Sequence, residues 1–250
     1  MQRYFIDQEQ IVEDTIKIVG EDAHHISRVM RMKQHDGIVC CTNDGRVAKC
    51  EIQEMTNDFV LVSVVEWVNE NHELPVRVTI AQGLPKGDKL EVIVQKGTEL
   101  GASSFLPFFA SRSIVKWDEK KGRKKVERLE KIAKEAAEQS YRNKIPTILS
   151  PIDFKSLIKI SYNFTQKIVA FEEDAKRGEF RQLASVLTSL KKGDSLLVVI
   201  GPEGGLTSNE VELLMQNQFI SCGFGPRILR TETAPMYVLS AVSYQTELLE

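Results

Sequence analysis

Residues 194–201, DSLLVVIG, form an almost unbroken apolar run with no alternation of polar positions. A strand of that kind has no face to turn toward water, so it belongs inside a parallel sheet covered by helices on both sides. The chain after Pro75 repeats this demand. Strands are predicted at 76–83, 103–110, 145–150, 167–173 and 194–201, with a brief RIL strand at 227–229. Between and after them, apolar periodicity predicts helices at 88–100, about 119–140, 153–160, 180–190, about 207–217 and 234–249. Strand alternating with helix predicts an α/β fold with a parallel sheet.

The first seventy residues have another rhythm. Strand-like runs occur at 15–19, 37–43, 47–55 and 59–68, and NDG (43–45) and TND (56–58) supply hairpin turns between the last three. One helix, DAHHISRVMRM (22–32), interrupts them with Asp22 as its expected cap. The polar stretch NENHELP (69–75) ends in proline and reads as a linker. The expected division is a small β-rich domain over 1–72 and an α/β domain over 73–250.

Composition excludes several classes. With 42% hydrophobic and 27% charged residues, the chain has the makings of a folded core. No apolar stretch approaches a membrane span and the N-terminus lacks an apolar signal core, so a cytoplasmic protein without membrane contact is expected. Cys40, Cys41, Cys50 and Cys222 show no CxxC spacing, so no metal is expected and the thiols read as buried and reduced. Charge is uneven: residues 112–145 hold twelve Lys/Arg against six Asp/Glu, whereas residues 1–70 hold seven against thirteen. Such a basic band is either a polyanion footprint or a solvated helix face laced by i,i+4 pairs.

The apolar strand at 194–201 runs into GPEGGLTSNE, a glycine-rich turn that opens a helix capped by Thr207 or Ser208. The turn carries Glu203 and no lysine, and it matches neither the phosphate loop nor the dinucleotide fingerprint. Its glycines let the main chain approach a flat, uncharged group, such as the adenine or ribose of a ligand. A tight turn that holds nothing is the alternative. A second stretch, GFGPRILRTETAPMYVLSA (223–241), leads to another helix with Thr231 or Thr233 as cap. Arg230 and Glu232 place opposite charges at its mouth, either for chemistry or to pin the loop.

IGPEGG (200–205) followed by GPRILRTETA (225–234) resembles the signature of the small-subunit rRNA methyltransferase E family. RYF (3–5), HHISRVMRMK (24–33), QKGTELG (95–101) and EQSYRNKIP (138–146) extend the resemblance, in order, over nearly the whole chain. The sequence departs at Phe224, where the family more often has leucine, and at Leu206, where an aromatic is common. The resemblance implies a PUA-like N-terminal β-barrel and a C-terminal SPOUT methyltransferase domain with a trefoil knot. It implies an enzyme that uses S-adenosylmethionine to make N3-methyluridine in 16S rRNA, within the small ribosomal subunit, working as a homodimer.

Carried over by position, the resemblance gives three cofactor-binding segments: Phe171 and Glu172; Ile200, Gly201, Pro202, Gly204 and Gly205; and Phe224, Gly225, Ile228, Leu229 and Thr231. Arg230 and Glu232 are the expected catalytic residues, the first to stabilise negative charge on uracil and the second as base, since N3 must lose its proton to become nucleophilic. Expected RNA contacts are Arg3, His24, His25, Arg28 and Arg31 in the N-terminal part, and Arg112, Gln139 and Arg142 in the basic band. The alternative for either histidine is a capping or partly buried residue, which a lone histidine more often is. The closing helix, with Met236, Tyr237, Leu239, Val242 and Tyr244, serves as dimer interface or as an ordinary core helix. Competing readings are methylation of tRNA or of a ribose hydroxyl, a catalytically silent RNA-binding factor, and a phosphate-binding α/β enzyme.

Overall fold

The structure is a computed structural model that describes residues 1–115, 117–173 and 181–249. The chain forms two compact units, Met1–Glu73 with Ala137–Ile145, and Leu74–Ala136 with Pro146–Glu250. The first unit is therefore discontinuous in sequence, which a single cut near residue 72 does not provide for.

In the first unit, strands β1 (Arg3–Ile6), β2 (Ile11–Val12), β3 (Thr15–Val19), β4 (Gly37–Thr42), β5 (Val47–Met55) and β6 (Phe59–Val68) form one sheet in the order β1-β4-β5-β6-β3-β2. β1 and β4 run parallel and the remaining pairs antiparallel. Both expected hairpins form. Gly45 turns the first with φ +94°, a left-handed conformation that suits glycine. Thr56 Oγ1 closes the second by accepting from the Asp58 and Phe59 N–H groups at 3.2 and 3.1 Å. Two register shifts in the β5–β6 ladder, at Lys49/Cys50 and Ile52/Glu54, are bulges that increase twist and curl the sheet over its core. Tyr4, Ile16, Ile18, Ile26, Ile38 and Ile52 fill that core.

The helix expected at 22–32 departs from its prediction. It begins at Gly20, directly from β3, with Val19 at the N-cap, and Asp22 lies within its first turn. Regular α geometry ends at His24 and a wider π turn covers His25–Val29. Arg31 has φ +52°, which stops the helix short of Met32.

In the second unit, β7 (Arg77–Gly83), β8 (Ser104–Phe109), β10 (Ile152–Asp153), β11 (Gln166–Ala170), β12 (Ser195–Ile200) and β13 (Ile220–Cys222) order as β10-β8-β7-β12-β11-β13, all parallel. All six residues of β12 are buried, as its apolar run requires. β9, which also pairs with β8, is only Thr147–Ile148. Pro146 and Pro151 bracket the segment and withhold the N–H groups a longer ladder needs. β11 ends at Ala170, not at residue 173, and Phe171 N–H continues one bond further to the Cys222 carbonyl at 3.1 Å. The RIL segment forms no strand; residues 223–230 are irregular. No helix among the described residues is long and apolar enough to cross a membrane.

Residues 137–145 join the first unit through a buried polar cluster. Tyr141 takes φ +59° and Arg142 N–H donates to the Ala137 carbonyl at 3.0 Å, a Schellman-type stop to the helix Glu119–Gln139. Arg142, 2% exposed, is gripped by Glu73: its Nε lies 2.9 Å from Oε1 and its Nη2 2.5 Å from Oε2. Glu73 Oε1 also accepts from Asn143 N–H at 2.9 Å. The Asn143 side chain donates to the Glu70 carbonyl at 2.7 Å and accepts from His72 N–H at 2.9 Å. The linker predicted at 69–75 is therefore tethered rather than free. Glu73→Ala removes the bidentate partner of a buried guanidinium and should cost about 3 kcal/mol in urea denaturation. Glu66→Ala, which breaks an exposed pair with Lys49 at 3.3 Å, should cost below about 1 kcal/mol. Equal losses would contradict a structural role for the cluster.

Candidate functional site

β7, β12, β11 and β13 are neighbours, so their carboxyl ends open side by side, where an α/β sheet offers its ligand crevice. The glycine turn follows β12 and is shaped by contact with its own backbone. A Cβ on Gly201 would lie 2.8 Å from the Gly205 carbonyl carbon, and one on Gly83 of β7 would lie 2.7 Å from Pro202 Cδ. Gly205 has φ +69° and its N–H closes the turn on the Pro202 carbonyl at 2.8 Å. Thr207 then caps the helix Ser208–Gln216.

The carboxylates around this turn are occupied. Glu210 completes a capping box with Thr207, and its other oxygen accepts from Ser111 N–H at 2.8 Å. Burial pushes the Glu210 carboxyl up, but the N–H bonds from Ser111 and Thr207 outweigh it and hold the group below the usual carboxylate range. Glu203 accepts from Lys86 N–H at 3.0 Å and pairs with Lys89 Nζ at 3.0 Å. It too is held low: burial opposes ionisation, and these bonds overcome it. Arg112, expected as an RNA contact, is exposed but donates through Nη1 to the Gly204 carbonyl at 2.8 Å, bracing the turn from outside.

The segment after β13 supplies the opposite wall. Gly225 has φ +83°, and Phe224 stacks on Tyr237 with centroids 5.8 Å apart. Neither expected threonine caps the helix Thr233–Ser243: Glu232 occupies the N-cap without a side-chain bond, and Thr233 is the first helical residue. The Thr231 hydroxyl donates instead to the Gly201 carbonyl at 2.7 Å and accepts from Gln82 Nε2 at 2.9 Å. Of the two opposite charges at the mouth of this helix, Glu232 pairs with Lys89 at 3.4 Å. The hydrogen bond that Lys89 donates to Glu203 first, then the pull of Glu232, raises the affinity of Lys89 for its proton.

These segments enclose a cavity of about 900 Å³. Phe171, Glu172, Ile200, Gly201, Pro202, Gly204 and Gly205 lie on its wall, as do Phe224, Ile228, Leu229, Arg230 and Thr231. Gly225 and Glu232, both expected at the site, do not. Lys89 and Arg112 do, without having been expected there. Among the described residues, no group of three or more His, Cys, Asp or Glu side chains has the arrangement of a metal site.

The residues expected to contact RNA separate into two sets. Arg3 is 3% exposed and donates to the Tyr141 and Arg142 carbonyls at 2.6 and 2.9 Å. With Arg142 held by Glu73, both arginines serve the interior of the first unit and not its surface. His25 is half-buried against the Tyr4 hydroxyl at 3.0 Å. His24, Arg28, Arg31 and Gln139 are exposed, with Arg28 donating to Asn57 at 2.9 Å. Of the residues that sequence reasoning passed over, Glu210 had a signal in the T-x-x-E spacing of a capping box. Gln82 and Lys89 had none, because their partners lie more than a hundred positions away.

Residues 72–243 match the family of RNA methyltransferase domains, and residues 18–65 match the RNA methyltransferase PUA domain. The ribosomal RNA small subunit methyltransferase E of Bacillus subtilis (strain 168) is 58% identical over 252 residues, covering 100% of this chain and 98% of that protein. Its counterpart of the same name in Synechocystis sp. is 32% identical over 96% of this chain and 77% of its own length. The crystal structure of ribosomal RNA small subunit methyltransferase E from Neisseria gonorrhoeae bound to S-adenosyl methionine superposes with a TM-score of 0.83 at 25% identity, over 97% of each chain. With a family domain spanning most of its length and a full-length relative at this identity, the chain belongs to the ribosomal RNA small subunit methyltransferase E family.

Proposed function

We propose that the protein transfers a methyl group from S-adenosylmethionine to N3 of a uridine in 16S rRNA, in the cytoplasm and on the small ribosomal subunit. The observation that carries this reading is the meeting of three strand-end segments, one of them glycine-rich and free of lysine, around one cavity of about 900 Å³. That volume is of the size that small-molecule sites take. The glycine turn offers main-chain groups at close range, and the carboxylates of Glu203 and Glu210 are engaged by the fold, so the turn suits an adenosyl group better than a phosphate. When bound, S-adenosylmethionine supplies an electrophilic methyl on a sulfonium.

The chain's own residues have three tasks. Ile228 and Leu229 provide apolar surface beside the glycine turn for an adenine ring. Arg230, exposed on the cavity wall, stabilises the negative charge that the uracil carbonyl oxygens gain as N3 loses its proton. Glu232 lies off the wall and is paired with Lys89, so its task in this reading is to hold that lysine, with the N3 proton passing to solvent. A paired uridine hides N3, so the target base has to be unstacked, with exposed cations such as Arg28, Arg31, Lys120 and Lys124 near enough to the surface to meet RNA phosphates. A trefoil knot through the three segments would fix their spacing. The exposed Tyr237, Tyr244, Leu248 and Leu249 supply apolar surface for a second copy, giving a homodimer.

Small subunits lacking the modification, incubated with the protein and labelled S-adenosylmethionine, should yield labelled 3-methyluridine on nucleoside mass spectrometry. Label on a ribose, on tRNA alone, or nowhere despite cofactor binding would overturn the substrate assignment. Arg230→Ala should lower kcat about 10²-fold with cofactor Kd within about threefold of the parent. Glu232→Gln should lower it less than about tenfold. A loss with Glu232→Gln as large as with Arg230→Ala would return the base role to Glu232. Sedimentation should show a dimer that Tyr244→Glu weakens.

A further inference from the structure

Gln82 lies near the end of β7, is 0% exposed and belongs to none of the segments assigned to the ligand. Its Nε2 is 3.1 Å from the Gly201 carbonyl, 2.9 Å from Thr231 Oγ1 and 3.0 Å from the Gly83 carbonyl. The two carbonyls can only accept, and the Thr231 hydroxyl spends its proton on Gly201. The orientation of the amide is thereby fixed by its surroundings: its NH₂ must face these three oxygens. Its Oε1 is then turned into the interior, buried and without a hydrogen-bond partner among the described residues.

An unpaired buried amide oxygen is a cost that an apolar side chain of similar length avoids. The interior of β7 therefore gains nothing from a glutamine at this position. The gain lies in what the N–H groups hold. They tie the first residue of the glycine turn to Thr231, across from it on the opposite wall of the cavity. Lys89 bridges the same two segments through Glu203 and Glu232, but its side chain is 36% exposed, and an ion pair in water is a weak brace. The buried amide is stiffer than this ion pair, and it holds both partners of the direct Thr231–Gly201 bond in place.

We propose that Gln82 is a positioning residue for cofactor binding: through Gly201 and Thr231 it sets the gap between the glycine turn and residues 224–231, into which S-adenosylmethionine fits. The proposal rests on the reading of this cavity as the cofactor site. It predicts that stability and binding separate, because replacing the amide by a thioether removes the orphaned oxygen and the clamp together.

The test is calorimetric titration of S-adenosylmethionine into the full-length protein and its Gln82→Met, Thr231→Val and doubly substituted variants. Gln82→Met should bind about tenfold more weakly, equivalent to roughly 1.4 kcal/mol. Its thermal midpoint should stay within about 4 °C of the parent. In turnover assays KM for the cofactor should rise, while kcat at saturating cofactor and KM for the ribosomal subunit hold, a split that general loosening of the fold does not produce. Thr231→Val should weaken binding alike, and the double variant should be no weaker than the worse single one, since both break one clamp. Affinity within twofold of the parent in Gln82→Met, or additive losses in the double variant, overturns the proposal. If Gln82→Met does not fold, Gln82→Leu decides in its place: unchanged cofactor affinity overturns the clamp and a tenfold loss supports it. A parent protein that binds no S-adenosylmethionine overturns the reading of the cavity itself, and the clamp with it.

Discussion

Six buried residues in succession, Ser195–Ile200, make β12 the strand on which the second unit depends. Each fully buried Val, Leu or Ile contributes about 1.5–3 kcal/mol relative to exposure, so a strand with five of them stays in place only with both neighbours and both helical layers present. β7 and β11 are those neighbours. Once they lie parallel on either side, the carboxyl ends of all three open on the same edge, and whatever follows them has to share one crevice. The glycine turn, the residues after Ala170 and the end of β7 are neighbours for that reason.

The crevice is built from main chain more than from charge. Gly201, Gly83 and Pro202 pack backbone on backbone at distances that leave no room for a Cβ. The acidic groups nearby are absorbed into that framework: Glu210 into the helix cap and Ser111, Glu203 into Lys86 and Lys89, Glu232 into Lys89. The cavity wall carries the cations Lys89, Arg112, Arg227 and Arg230 together with the carboxylates Glu172, Glu173, Glu203 and Glu212. A wall of close-packed backbone with guanidinium groups at hand is consistent with a bound adenosyl group on one side and an RNA base on the other.

Arginines at Arg3, Arg142 and Arg230 look alike in a sequence and do unlike things here. The first two are buried and bonded to carbonyls or to Glu73, while the third is exposed on the cavity wall. A basic run records how many cations are nearby in the chain, but not which of them fold inward. The same limit applies to threonines. Thr207, one of two candidates, caps its helix, whereas Thr231, also a candidate cap, gives its hydroxyl to Gly201, thirty residues away.

Local rules were therefore enough for most of the longer strands and helices, for the turns at Gly45 and Gly205, for a hydroxyl cap at Thr207 or Ser208 and for the parallel sheet. Each depends on apolar period or on φ preferences within a few residues. The resemblance to a family supplied the three ligand segments, and all of their residues except Gly225 reached the cavity wall. The proline-bracketed β9, the irregular RIL segment and the return of residues 137–145 to the first unit were not legible. Nor were Gln82, Lys89 and Glu73, whose partners are 69 to 149 positions distant. A hydrogen bond or ion pair between residues so far apart leaves no period in the chain, and it exists only because the folded sheet brings the two groups within 3 Å.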